Sequence, residues 1–316
     1  MKQFLSINDV TDLRALLEKA KQIKLNPNAN RSLGKNKSIG LIFLNPSLRT
    51  RLSAQRAALN LGMDVVLLDV NSGGWKLEFG DSVIMNGDSA EHVKEAAGVL
   101  GRYFDVLAIR SFASLKDRTK DYSEEVLSAF ATYSGKPIIN MESATGHPLQ
   151  AFADLITINE HKVQERPKVV LSWAPHPKAL PQAVANSFVR WMRASEVELV
   201  VTHPAGYELA DEVIGSVPVV YEQQEAFADA DFIYAKNWSS YTNYGKILTT
   251  DPSWMITQEK MNLTNQAKFM HCLPVRRNVI VEDGVLDGES SIVLHQAENR
   301  IISMQTVLHQ ILKESL

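Results

Sequence analysis

The sequence predicts an α/β protein of two domains, each a central parallel sheet flanked by helices, with a cleft between them. Three observations carry this prediction. The chain has 316 residues, more than a single core ordinarily holds. Short, continuous apolar runs alternate with segments of helical periodicity, the pattern of strands buried on both faces. The alternation also runs twice, with one helical stretch between the two sets.

Taken in order, residues 8–23 place Val10, Leu13, Leu16, Leu17, Ala20 and Ile23 at helical spacing, with Asn8 or Asp9 as the expected cap. The run "SIGLIFL" (38–44) reads as a buried strand, and the helical "RLSAQRAALNLG" after it ends on Gly62 as a C-cap. "DVVLLDV" (64–70), "DVLAIRS" (105–111) and "KPIINM" (136–141) complete the first set, with helical "AEHVKEAAGVLGRY" and "YSEEVLSAFATYSG" between them. The bridge is "LQAFADLITINEHK" (149–162). The second set is "KVVLSWA" (168–174), "VELVVTH" (197–203), "DFIYAKN" (231–237) and "KFMHCLP" (268–274). A last amphipathic helix, "HQAENRIISMQTVLHQILKES", closes the chain. Parallel strands imply crossovers, expected right-handed.

Composition narrows the function. A net charge of −3, with 22% charged residues and no basic run, argues against nucleic acid as the partner. The one cysteine, Cys272, rules out an intrachain disulfide and fits a reducing compartment. The first twenty residues carry no apolar signal core, and the apolar runs are far short of a membrane span. A cytoplasmic location with no membrane partner is expected.

Open parallel sheets bind ligands at the carboxyl ends of their strands. The residues there are Ser47–Arg51 after the first strand, Arg110, then Glu142 with His147 and Gln150. In the second set they are His176, His203, Lys236 and the stretch His271, Cys272, Leu273, Arg276 and Arg277. A helix start with free backbone N–H groups is an anion site, and Ser47 and Thr50 add hydroxyls. Arg49 and Arg51 are either solvated first-turn residues or anion ligands. Cations are disfavoured there by roughly 0.3–1 kcal/mol each, which favours an arriving anion. Lys236 is a solvated strand end or an anion contact. Trp75 is tucked against the core or offered to a ligand or partner. Cys272 is a nucleophile beside His271 or, more commonly for such thiols, buried or substrate-contacting.

Other phosphate devices are missing from the sequence. It contains no G-x-G-x-x-G after a strand, no P-loop and no G-x-S-x-G elbow. His147, His176 and His203 each precede proline, and no H-x-x-x-H or C-x-x-C spacing marks a metal site, so neither metal nor cofactor is expected.

At this point the motifs resemble the aspartate/ornithine carbamoyltransferase family. "SLRTR" is similar to its S-x-R-T-R carbamoyl-phosphate loop, "HPLQ" to its H-P-x-Q and "HCLP" to the H-C-L-P of the ornithine branch, in the same order. The D-x-W-x-S-M-G of ordinary ornithine enzymes is replaced by "YAKNWSSYTNYG". "GGW", "GDSAEH", "NMES", "HPKALPQAVANS", "HCLPVRRNV" and "AENR" resemble the branch acting on N-acylornithines.

The resemblance implies transfer of the carbamoyl group from carbamoyl phosphate to the δ-amine of an N-acylornithine in arginine biosynthesis. It also implies a homotrimer and a chain knotted through the loop near Pro177 and Pro181. Residues 1–147 with 295–316 would bind carbamoyl phosphate, and 148–294 the N-acylornithine. Ser47, Leu48, Arg49, Thr50 and Arg110 would hold the phosphate, with Trp75 reaching a neighbouring subunit's site. His147, Gln150, Cys272, Leu273 and Arg300 would hold the carbamoyl group or complete the anion site. Arg49, Thr50, His147 and Cys272 are the catalytic candidates. Glu142, His176, Lys236 and Arg276 would hold the acylated amino acid. Acetyl-type members carry glutamate where this chain has Ala90; a small neutral residue removes repulsion against a succinyl carboxylate, so the succinyl substrate is favoured over the acetyl. Succinyl-type members carry proline there, so Ala90 departs from both patterns. The rivals are N-acetylornithine or plain ornithine as acceptor, and an inactive relative that binds an anionic metabolite.

Overall fold

The computed structural model describes residues 1–70 and 75–314. Residues 71–74, including the two glycines of "GGW", and Ser315 and Leu316 lie outside the described residues. The chain forms two compact units. One comprises Met1–Ser114, Thr119–Leu149 and Arg300–Leu316; the other comprises Leu115–Arg118 and Gln150–Asn299. Both main breaks fall inside helices, Pro148–His161 and Val293–Glu314, a few residues past the boundaries expected from sequence.

In the first unit, β1 (Ser38–Phe43), β2 (Asp64–Asp69), β5 (Val106–Arg110) and β6 (Ile138–Glu142) form a parallel sheet of order β2-β1-β5-β6. β3 (Leu77–Glu78) and β4 (Glu91–His92) form a separate parallel pair that sequence periodicity does not reveal. The sheet carries helices Leu48–Asn60, Val93–Tyr103 and Glu125–Tyr133. β1, β5 and β6 bury nearly every residue, as their apolar runs require. β2 is less buried than its apolar run suggests, with Val66 exposed, because an edge strand has a neighbour on one side only.

The register positions the chemistry. Phe43 pairs with Arg110, and Arg110 with Glu142, so three strand ends lie side by side and their loops leave from one edge. A shift in register between Ile109 and Arg110 brings Glu142, rather than Met141, opposite Arg110.

In the second unit, β7 (Lys168–Trp173), β8 (Glu198–Thr202), β9 (Val219–Val220), β10 (Phe232–Lys236) and β11 (Lys268–Met270) form a parallel sheet of order β11-β10-β7-β8-β9. Its core gathers Val170, Val200, Phe227, Ile233, Phe269 and Val281, among others. Lys236 pairs with Trp173 at the carboxyl end.

The N-terminal helix departs from expectation. It runs Leu13–Leu25 and is capped by Asp12, whose carboxylate accepts from Ala15 N–H at 2.9 Å, not by Asn8 or Asp9. Asp9 instead closes a capping box with Ser6 around the short 3₁₀ turn Ile7–Asp9. Gly62 takes the left-handed conformation that a helix C-terminus needs, with φ 81°.

Candidate active site

The first cluster forms at the carboxyl edge of the first unit's sheet. Ser47 is the N-cap of helix Leu48–Asn60: its extended backbone turns the chain, and its Oγ accepts from Thr50 N–H at 3.2 Å. This cap fixes the first turn, exposes Leu48 and buries Thr50. Arg49 is half-buried in the same turn.

Thr50 Oγ1 accepts from Arg300 Nη2 at 2.7 Å and from Arg110 Nη1 at 3.3 Å. Arg110 and Arg300 are only 6% and 8% exposed, so two guanidinium groups converge on one buried hydroxyl. Glu142 pairs with Arg110, and its Oε2 lies 3.5 Å from His147 Nε2. Two buried guanidiniums on one neutral hydroxyl suit an arriving anion, because buried charge is costly unless a counter-charge meets it. Arg110 Nε–H is buried with no protein acceptor, and the guanidinium stacks over Phe112 at 4.3 Å. A tetrahedral anion bearing several acceptor oxygens matches these donors.

The two arginines of "SLRTR" separate. Arg51 pairs with Asp69 at the end of β2 and lies over the Phe43 ring, which explains its position at a helix start without a ligand. Of the pair, Arg49 is the one that remains an anion candidate.

Trp75 and Ala90, read from separate motifs, sit on one small module. Trp75 packs against the first unit's core and donates its Nε1–H to Glu91 Oε2 at 2.8 Å. Ala90 is exposed, and its N–H donates to the Lys76 carbonyl at 2.9 Å as the β3–β4 pair begins.

The second unit holds two further groups. Arg276 Nε–H donates to His176 Nε2 at 3.1 Å, and His176 Nδ1 lies 2.9 Å from the Lys178 carbonyl and 3.0 Å from its backbone nitrogen. Partial burial depresses the His176 pKa, and the positive charges of Lys236, Arg276 and Lys178 act in the same direction. The imidazole is therefore neutral near pH 7, beside three cations suited to carboxylates. Lys236 itself is 8% exposed at the end of β10.

The other group surrounds "HCLP". His271 N–H donates to Gln296 Oε1 at 2.9 Å, and His271 Nδ1 accepts from Leu273 N–H at 2.9 Å. Leu273 has φ 53°, a strained conformation for a branched residue, held by this turn. Cys272 is half-buried, and Tyr234 lies beside it and Asp154. Burial pushes the Tyr234 hydroxyl well above its usual pKa, with the Asp154 charge next in importance. Gln150 donates Nε2–H to Asp154 Oδ1 at 2.7 Å.

Asp154 and Gln296 are the two members of this group that motif reading misses. The signal was present: Gln150, Asp154 and Thr157 are polar residues at helical spacing on an otherwise apolar, buried face. His203 does not join these groups. Its Nδ1 faces the Pro204 carbonyl at 2.9 Å and its ring packs edge-on to Trp238 and Tyr221, with a pKa depressed chiefly by burial. Among the described residues, no helix is long and apolar enough to cross a membrane.

The helix start and the guanidiniums on Thr50 in one α/β unit, and the cations around His176 in the other, have the charge that phosphorylated and acidic small molecules need. Residues 2–160 match the family model described as aspartate/ornithine carbamoyltransferase, carbamoyl-P binding domain, and 181–311 match the Asp/Orn binding domain. The chain belongs to the aspartate/ornithine carbamoyltransferase family and is a carbamoyltransferase.

It is 53% identical to N-succinylornithine carbamoyltransferase of Bacteroides thetaiotaomicron, over 99% of each chain. It is 36% identical to N-acetylornithine carbamoyltransferase of Xanthomonas campestris pv. campestris, over 100% of this chain and 99% of that one. A solved N-acetyl-L-ornithine transcarbamylase mutant complexed with carbamyl phosphate and N-succinyl-L-norvaline superposes with TM-score 0.92. It is 35% identical, over 98% of this chain and 100% of that one.

Proposed function

We propose that the protein transfers the carbamoyl group of carbamoyl phosphate to the δ-amine of N-succinyl-L-ornithine, giving N-succinyl-L-citrulline and phosphate. The observation that carries the reading is the 53% identity over 99% of each chain to two N-succinylornithine carbamoyltransferases, joined to the cationic cluster around Thr50.

In this mechanism the first turn at Ser47–Thr50, with Arg110 and Arg300, holds the phosphate. The neutral δ-amine adds to the carbamoyl carbon. Charge then develops on the carbamoyl oxygen, which Arg49, Thr50 and His147 receive; losing one such donor typically costs about 100- to 1,000-fold in rate. The carbon–oxygen bond to phosphate breaks, and phosphate carries off the amine proton. No covalent enzyme intermediate is required, so Cys272 serves through its backbone and that of Leu273. The chain's task is positioning two substrates and excluding water.

Arg276, His176, Lys236 and Glu142 hold the acylated amino acid in this reading. Solved transcarbamylase mutants in which one glutamate is replaced by alanine, valine, proline or serine are complexed with N-succinyl-L-norvaline. The resemblance puts Ala90 where the acetyl-type enzymes carry glutamate, and that supports succinyl as the acyl group. A homotrimer in which Trp75 serves the neighbouring site, a cytoplasmic location and a role in arginine biosynthesis belong to the same proposal. So does a knot near Pro177 and Pro181, which rests on the resemblance to the N-acylornithine branch.

The test is turnover with N-succinylornithine, N-acetylornithine and ornithine side by side. Preference for the succinyl compound supports the reading. Preference for the acetyl compound keeps the chemistry and overturns the acyl assignment. Silence with all three, despite phosphate binding, favours a non-catalytic relative.

A further inference from the structure

Asp154 is fully buried, and two side-chain amides donate to its Oδ1. Gln150, one helical turn before it, donates Nε2–H at 2.7 Å, and Gln296 donates Nε2–H at 2.6 Å. A carboxylate only accepts, so each glutamine must turn its NH₂ end toward Asp154 and its carbonyl end away. For Gln296 the consequence is visible: its Oε1 receives His271 N–H at 2.9 Å. For Gln150 the carbonyl is left as a buried acceptor without a protein donor, on a side chain only 1% exposed. A buried acceptor of that kind is costly unless a ligand N–H completes it.

We infer that Asp154 is a positioning residue for carbamoyl transfer: it holds Gln150 with its carbonyl presented to a carbamoyl N–H and, through Gln296, holds the His271–Leu273 turn. The inference rests on the carbamoyl-transfer reading above and deepens it. The terminal torsion of a glutamine is broad and nearly two-fold, so nothing but its partners decides which end faces a ligand. With the carboxylate in place, a planar carbamoyl NH₂ meets an acceptor. With the amide reversed, it meets another NH₂. One buried carboxylate thus sets two recognition elements, and both hold the carbamoyl group rather than the phosphate.

The experiment compares the full-length enzyme with Asp154→Leu and Asp154→Asn in steady-state carbamoyl transfer, alongside thermal unfolding. Asp154→Leu should lower kcat about 10- to 100-fold, as loss of a supporting contact behind a binding group commonly does. KM for carbamoyl phosphate should stay within about threefold, because the phosphate contacts are untouched. Asp154→Asn keeps an oxygen that both amides can reach and should retain kcat within about threefold.

A folded Asp154→Leu enzyme with unchanged kcat overturns the inference. So does Asp154→Asn as damaged as Asp154→Leu, which would assign the effect to charge. If Asp154→Leu does not fold, Asp154→Ser decides: its hydroxyl accepts from or donates to either amide end, so kcat should again fall, and an unchanged kcat overturns the role. A wild-type enzyme silent with every acceptor removes the functional reading and the positioning role together. An active wild type with unaffected variants removes the positioning role alone.

Discussion

Replacing Thr50 by valine isolates the point where the first unit's chemistry converges. Valine has the shape of threonine, and the helix cap uses Thr50 backbone N–H, so the first turn stands. What goes is the acceptor for Arg300 at 2.7 Å and for Arg110 at 3.3 Å, in a site where Thr50 is 2% exposed. A hydrogen bond to a charged group contributes about 1.5–3 kcal/mol, and the shorter Arg300 contact belongs near the top of that range. With a smaller part from Arg110, the loss is about 3 kcal/mol, or about 100-fold in kcat/KM for carbamoyl phosphate. Guanidiniums no longer fixed should also weaken binding of inorganic phosphate, which calorimetry reads directly. A Thr50→Val enzyme with kcat/KM within about threefold of wild type would show that the hydroxyl organises nothing that matters to the reaction.

Other substitutions test the remaining assignments. Arg49→Ala should cost about 100-fold or more in kcat/KM, as loss of an aimed donor does. Arg51→Ala, which removes a half-exposed pair with Asp69 and the contact over the Phe43 ring, should change stability by about 0–1 kcal/mol and activity little; steady-state kinetics and denaturant unfolding check both. Cys272→Ser should keep turnover within about tenfold, whereas a covalent role would abolish it. Ala90→Glu should move preference from the succinyl toward the acetyl acceptor, and unchanged selectivity in a competition assay would remove the acyl argument. His309, buried in the C-terminal helix, has its pKa pushed down to about 4 by burial and then by Lys19 and Lys313. A base depressed in the folded state stabilises fully above its unfolded value near 6.5 and progressively less as pH falls toward 4. Unfolding free energy should drop by on the order of 2 kcal/mol over that window, and His309→Leu should flatten the drop.

What sequence made legible was what is local. The helix-start anion loop follows from residues within one turn of each other, and β1, β5 and β6 follow from apolar runs that burial requires. The pairing of Arg51 with Asp69 was not legible, because a strand end after an intervening helix supplies the partner. β9 has two residues, and β3 and β4 two each, too short to leave a period. That small β3–β4 pair is why Trp75 and Ala90 come together. The helix cap went to Asp12 because the chain first makes a separate 3₁₀ turn, a choice that tertiary contacts settle and local propensity does not. Asp154 and Gln296 read as polar interruptions of apolar faces. Their meaning is set by one contact between distant helices.

The central claim is transfer of one carbon group, and carbon-13 in the carbamoyl group of carbamoyl phosphate tests it most directly. With N-succinylornithine and enzyme, one phosphate should be released for each labelled ureido carbon that appears in N-succinylcitrulline. Phosphate released without label reaching the amino acid, or no release at all, would contradict the account.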